Sequence, residues 1–421
     1  MRGRRRSGTR WLAALGAAVL AVVGTAAPAA AEPVETITAG QFTMRWTDTT
    51  YMAEHIGMVK TSLSAVLASA DWQATRRGSC AASAMGSTAR PADWWCFTSG
   101  DNSTQEWIPQ GVSSVNDAQE DQVWGSYKGI MVSWYDDESY VGSPANEDDD
   151  HVLKKGVRVS VLNTETGKYK HILLVEPVSG DNGEVSYQPV QLHAGGMVWY
   201  GRYLYLADTA RGIRQFSLDA IYDLVDDPRG DSTNKYLVGY EPVANKFYSH
   251  GYRYVMAQSG TWKSPTAWAG GCETSGPLRN SWLSLDRAAV PDRLVTGEFC
   301  EKESGQAGRV VAWDLSDHRI ASSGGVATAD SAFRQPGLTG GVGNRTQGGL
   351  TTDGGTTWHF NASDGSNPGR LRTWRLGSSW SLVRDVATAI GPEDLSAWRD
   401  TGLIWSVSEY AGKRMLYGLV A

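Results

Sequence analysis

The stretch YLYLADT (Tyr203 to Thr209), two residues before GIRQFSL (Gly212 to Leu218), decides how this chain reads. Each half is a short run of β-branched, aromatic and aliphatic residues. The first ends in Ala-Asp-Thr and the second begins with glycine, which is the punctuation of a strand, a turn and a second strand. The same pair recurs as RLVTGEFC (Arg293 to Cys300) before GRVVAWDL (Gly308 to Leu315) and as TWHFNAS (Thr357 to Ser363) before GRLRTWRL (Gly369 to Leu376). It recurs again as GIMVSWYD (Gly129 to Asp136) before GVRVSVL (Gly156 to Leu162), and as LIWSVSEY (Leu403 to Tyr410) before MLYGLV (Met415 to Val420).

A further strand-like start precedes each pair, at Gln110-Gly111-Val112, His193 to Gly196, Asn280-Ser281-Trp282, Gln347-Gly348-Gly349 and Gly391 to Asp394. Repeated antiparallel units of this kind point to an all-β β-propeller, in which radial repetition leaves only short, protected edges. Five blades are expected. Six is the alternative count, and Gly251 to Trp262 decides it; it is taken as the outer strand of the second blade. A β-sandwich is the rival architecture. The last blade lacks a fourth strand, so an N-terminal segment, Phe42 to Trp46, is expected to close the ring.

Working outward, Arg2, Arg4, Arg5, Arg6 and Arg10 precede the apolar run Trp11 to Val23 and the small residues Ala29 to Ala31. Residues 1–31 read as a cleaved signal peptide, which makes the protein secreted and extracellular. Residues 32–109 are expected to form a small N-terminal cap, with helical apolar spacing from Tyr51 to Trp72 followed by a disulfide-bounded loop. Residues 110–421 are assigned to the propeller. Loss of residues 1–31 moves the formal charge from −6 to −11. An acidic chain without a basic cluster does not suit phosphates or anionic lipid, so no nucleic-acid or membrane partner is expected. A single chain acting alone is expected.

The four cysteines of an exported chain read as disulfides. Three pairings exist. Loop-closure entropy favours the local one, Cys80 with Cys96 and Cys272 with Cys300. No metal site is expected, since the cysteines have no CxxC spacing and no nearby histidine. The acidic run Glu147 to Asp150 with His151 offers oxygens to calcium but lacks the spacing of an EF-hand loop, so a solvated loop and no cofactor are expected.

The phrases PQGVSS (Pro109 to Ser114), HAGGMVWYGRYLYLADT (His193 to Thr209) and GPEDLSAW (Gly391 to Trp398) resemble secreted actinobacterial β-propeller proteins over most of the mature chain. The ADT and PED phrases are similar to those of lactonase-like and strictosidine-synthase-like propellers. The resemblance implies a propeller repeat and export, and it brings no activity with it.

In a propeller the innermost strand of each blade starts on the face where the second strand ends. Gln110, His193, Asn280, Gln347, Glu393 and Asp394 should therefore meet Asp208, Glu298 and Glu409 around one end of the axis, the usual place for a pocket. His193, before three small residues, is the candidate general base or hydrogen-bonding group. His250 is expected nearby. Eighteen tryptophans against seven phenylalanines favour rings that stack on sugars. Trp134, Trp282, Trp313, Trp374 and Trp405 are expected to wedge between blades, whereas Trp199, Trp262, Trp268 and Trp398 are candidates for ligand contact. No nucleophile elbow, HExxH helix, P-loop or dinucleotide fingerprint occurs. The expected function is binding of an extracellular glycan or other polymer on this face. The alternatives are a glycoside hydrolase using two of Asp208, Glu298, Glu393 and Glu409, a polysaccharide lyase with His193 as base and Arg211 or Arg345 beside the uronate, and a structural module for protein interaction.

Overall fold

A computed structural model describes residues 32–88, 90–137, 154–180, 183–272, 275–337 and 344–420. The signal-peptide reading of residues 1–31 and the acidic run at Glu147 to Asp150 lie outside them. The described chain belongs to one unit, Ala31–Ala421.

The chain is a β-propeller built from four-stranded antiparallel meanders. Meander 1 runs Trp107–Ser114, Gly129–Asp136, Val157–Asn163 and Lys168–Ser179. Meander 2 runs Met197–Tyr200, Tyr203–Asp208, Gly212–Asp223 and Tyr254–Lys263. The segment from Gly251 to Trp262 is thus its outer strand. Meander 3 runs Trp282–Asp286, Arg293–Gly297, Arg309–Ser316 and Ser331–Arg334. Meander 4 runs Thr346–Thr351, Thr357–Asp364, Asn367–Leu376 and Ser379–Ile390. Meander 5 runs Ser396–Trp398, Leu403–Val407 and Leu416–Val420. The first innermost strand begins at Trp107, three residues ahead of the expected start.

The ring closes differently from expectation. Asp93–Cys96, and not Phe42 to Trp46, pairs with Leu416–Gly418 as the fourth strand of meander 5. This short strand is tied down by the Cys80–Cys96 disulfide, which concealed it inside what read as a loop. Thr43–Asp48 instead bridges the outer strand of meander 2 and Val326–Thr328 beside meander 3. Glu32–Pro33 covers the edge of meander 4. The N-terminal segment therefore straps sheet edges that would otherwise present unpaired backbone groups. The helix expected from Tyr51 to Trp72 is two short ones, Thr50–Glu54 and Leu63–Ala68. They are parted at Gly57, whose φ of +76° leaves the helical region. The second disulfide is Cys272–Cys300.

Tyr203–Asp208 is buried along its whole length, because a sheet sandwiched between neighbours has no solvent face. The wedging tryptophans behave accordingly. Trp282 is fully buried, and its ring occupies the space that a Cβ on Gly349 of the next meander would need, 2.7 Å away.

Innermost strands have one edge facing the axis, and their backbone donors need partners there. Asp394 supplies two. Its Oδ2 accepts from Val112 N of meander 1 at 3.3 Å and from Met197 N of meander 2 at 3.0 Å. Because Asp394 leads into meander 5, this carboxyl joins three meanders near the axis, at a point closed to solvent, where Asp394 and Val112 are 0% exposed. Ser113, Ser114, Ser396 and Asp117 form a second buried polar layer, with Ser396 Oγ donating to Asp117 at 2.7 Å and Ser113 Oγ doing so at 2.9 Å.

Candidate functional site at the axial mouth

On the face where the innermost strands begin, two of those strands carry a bulge, between Pro109 and Val112 and between Thr346 and Gly348. Bulges re-aim side chains. The residues they turn are Gln110 and Gln347. Gln110 Nε2 donates to Glu409 Oε2 at 3.4 Å, and Gln347 Nε2 donates to Glu393 Oε1 at 3.1 Å. Burial pushes the Glu393 carboxyl well above the usual carboxylate range, and the charges of Glu409 and Asp394 push it further. Glu409 is raised as well, mainly by burial, while hydrogen bonds from Tyr410 and Gln110 oppose the rise. Burial and the Glu409 charge hold the Tyr410 phenol at about 12. The mouth therefore holds two acids with raised pKa values, Glu393 buried and Glu409 partly exposed, with two amides to steer them.

His193 faces the same space. Its ring is open to solvent by surface area, yet protein crowds it so densely that desolvation, aided by Arg279, lowers its pKa to about 4. The imidazole is neutral at pH 7 and tilts over Tyr135 with ring centroids 4.5 Å apart. Tyr135 is itself raised by burial and by the charges of Asp137, Glu409 and Glu393, which places it in the same electrostatic neighbourhood. Ala194 and Arg345 both adopt left-handed φ, at +54° and +48°, conformations that non-glycine residues adopt at a cost and that concentrate at functional sites.

Not every expected residue joins this group. Asp208 is bound by Arg214, Nε to Oδ2 at 3.0 Å. Glu298 and Arg309 form a buried ion pair, 2.6 Å at its shortest. In both cases the arginine follows the glycine that opens the third strand, so the Gly-Arg and Gly-Ile-Arg of the repeat are the counterions of the acids that end the second strand. Meander 5 breaks this rule. Arg414 Nε donates to the backbone carbonyl of Glu409 at 2.8 Å, which leaves the Glu409 carboxyl to Gln110. Asn280 is buried and turns into its own meander, donating to Leu278 O at 3.3 Å. His250 is buried in the turn after Lys246–Ser249, with Nδ1 3.1 Å from Lys235 O.

Three tryptophans expected at the ligand are in the core. Trp199 is fully buried against Trp124, Trp262 packs on Trp46 at 5.0 Å between centroids, and Trp398 is buried near Trp405. Trp268 is half-buried beneath Arg279. Nor do Gly195 and Gly196 open the backbone to a ligand. Added Cβ atoms would meet Ser281 O at 2.2 Å and Leu283 N at 2.0 Å, so these glycines exist for contact with meander 3. Sequence reasoning missed Tyr135 and Tyr410. Tyr135 was recoverable, since it ends a second strand as Glu409 follows one.

A second polar chain went unnoticed. Ser160 Oγ lies 2.9 Å from His171 Nδ1, and His171 Nε2 lies 3.2 Å from Asp101 Oδ2. Asp101 also accepts from Arg158 at 2.6 Å and from Tyr169 at 2.5 Å. Burial alone would raise Asp101, but Arg158 and His171 outweigh it and hold the carboxyl well below its usual range. The order of groups is that of a nucleophile, a base and an orienting acid. Ser160 is 1% exposed, so no substrate reaches the hydroxyl, and the chain serves as a buried strut.

No family profile and no curated protein matches the sequence. Among solved structures, the chain is similar to a gluconolactonase from Xanthomonas campestris at 11% identity, over 86% of this chain and 90% of that one, with a TM-score of 0.31. It is similar to the Swd1 β-propeller domain from Myceliophteria thermophila at 8% identity, over 76% and 99%, with a TM-score of 0.34. The RRP9 WD40 repeats align at 9% identity over 76% and 96%, with a TM-score of 0.28. These likenesses transfer no residue roles.

Proposed function

We propose that this chain is a secreted protein that binds the hydroxyl-rich end of an extracellular glycan in the axial mouth. The observation that carries the reading is the pairing of Gln110 with Glu409 and of Gln347 with Glu393 beside His193 and Tyr135. Amides, carboxyls and a neutral imidazole together offer both donors and acceptors, which is what sugar hydroxyls require. Tyr135 and His193 supply faces for a ring. The two disulfides fit an oxidising compartment, in keeping with the export signal read in residues 1–31.

The test is a glycan array on residues 32–421, followed by calorimetry on any hit. His193→Ala and Gln347→Ala should each weaken binding at least tenfold while Trp268→Ala leaves it unchanged. Absence of any glycan ligand, or retention of full affinity by both mouth variants, would overturn the reading.

A second reading draws on one further observation, the effect of the Glu409 charge on Glu393. Two neighbouring carboxyls with raised pKa values are part of the equipment of a glycoside hydrolase, with the partly exposed Glu409 as the acid and the buried Glu393 behind it. Release of reducing ends from a bound oligosaccharide, abolished by Glu409→Gln with binding intact, would favour the hydrolase over the binder.

A further inference from the structure

On the opposite face, where the innermost strands end, a cavity of about 820 Å³ opens between meanders 1, 2 and 3. Its walls include Glu120, Trp124, Tyr203, Arg287, His318 and Arg319. Trp124 is half-exposed and tilts against the buried Trp199, 5.2 Å between centroids. Arg287 stacks over Tyr200 at 4.9 Å and is neutralised by Glu120 at 2.6 Å.

Arg319 differs. Its guanidinium lies 5.0 Å from the Tyr203 ring centroid, and both Nε and Nη2 donate to the Tyr203 hydroxyl, at 3.0 and 2.5 Å. Among the described residues no carboxylate comes within ion-pair distance of it, and its Nη1 has no acceptor. An arginine held in place by a phenol, charged and with no carboxylate in ion-pair contact, is organised for an oxyanion; the Asp48 charge acts on it only from beyond that distance.

The turn that carries it is also unusual. Ser316 pairs with Arg319, so Asp317 and His318 alone make the hairpin turn, both with left-handed φ of +49° and +60°. Asparagine and glycine take such positions at least cost. Here an imidazole stands there, 4.8 Å from the Tyr200 ring, with its carbonyl accepting from Tyr205 at 2.7 Å. Gly201 makes room for it, since a Cβ there would lie 2.7 Å from the His318 ring. A strained turn kept over a cavity points to a ligand site.

We infer that this cavity is a second ligand site, independent of the axial mouth, for a sugar bearing an oxyanion: Arg319 takes the anion while Trp124 and His318 flank the ring. The anion can be a carboxylate or a phosphate, and Asp317 is the acid that opposes it.

Titration of the mature protein with glucuronate, glucose 6-phosphate, inorganic phosphate and glucose, followed by calorimetry and protein-observed NMR, tests this. At least one of the two anionic sugars should bind, and which one does identifies the anion. Arg319→Gln should weaken that binding at least tenfold, Arg319→Lys less, and Asp317→Asn should strengthen it. His193→Ala should leave it unchanged, so that failure here is separable from failure at the axial mouth. The inference is overturned if neither anionic sugar binds, if glucose binds as well as they do, or if Arg319→Gln retains full affinity. Arg319 is exposed, so its replacement leaves the fold intact.

Discussion

Removing the acid from the Glu298–Arg309 pair should cost stability without touching the axial mouth. Arg309 is 0% exposed at its side chain and Glu298 1%. The guanidinium reaches both carboxylate oxygens, at 2.9 and 2.6 Å, and also donates to the carbonyls of Gly276 and Pro277. Glu298 further accepts from Arg309 N and Arg279 N. Glu298→Gln keeps the shape and removes the charge, leaving a buried cation without its counterion, which costs about 3–5 kcal/mol. For a unit of 391 residues, Ala31–Ala421, an unfolding entropy of about 2.1 cal/mol/K per residue amounts to ~0.8 kcal/mol/K. The expected fall in Tm is therefore about 4–6 °C, read by differential scanning calorimetry. The double variant Glu298→Met/Arg309→Leu should fall less, because no charge is stranded. A single variant within about 1 °C of the parent, or a double variant lower than the single, would refute the assignment of Glu298 as a strut and return it to the list of candidate acids.

Three other outcomes follow from the geometry. The Glu393 pKa is raised in the folded state, so its contribution is fully present below the unfolded value near 4.5 and is lost as pH rises, by up to ~1.4 kcal/mol per pH unit. Glu393→Gln should thus raise Tm at pH 7.5 and flatten its pH dependence between 5 and 8; a variant less stable than the parent at pH 7.5 would contradict this. Asp101→Asn strips the charge that Arg158, His171 and Tyr169 share and should lose about 3–5 kcal/mol in urea unfolding, whereas a loss under about 1 kcal/mol would show the cluster to be dispensable. Gly196→Ala forces a Cβ against Leu283 N and should lose about 3 kcal/mol or more, while Gly40→Ala, with nothing within 4 Å, should stay within about 0.5 kcal/mol by the same assay.

The repeat was legible because each strand pair carries its own turn chemistry, as YLYLADT and GIRQFSL do, and a period built from local signals survives without tertiary knowledge. The closing strand was not. DWWC, from Asp93 to Cys96, is four residues long, and its strand character comes from its partner at Leu416–Gly418, more than three hundred residues away. Site residues divided along the same line. Position at a strand end was readable, and it brought Gln110, His193, Gln347, Glu393 and Glu409 to one mouth. Charge pairing was not, because it depends on which arginine lies across the hairpin, and so Asp208 and Glu298 looked equivalent to Glu409. The tryptophans misled because proximity to a turn says nothing about which side of the sheet a ring occupies: Trp199 and Trp262 face inward.

The carboxyl of Asp394, bound to the backbones of Val112 and Met197, has a kinetic corollary. A ring blocked at its midpoint is a pair of cups rather than a pipe. A molecule captured on one side departs through the opening by which it came, so its residence time depends on that rim alone. Solute added to saturate one cup should neither chase nor trap what sits in the other.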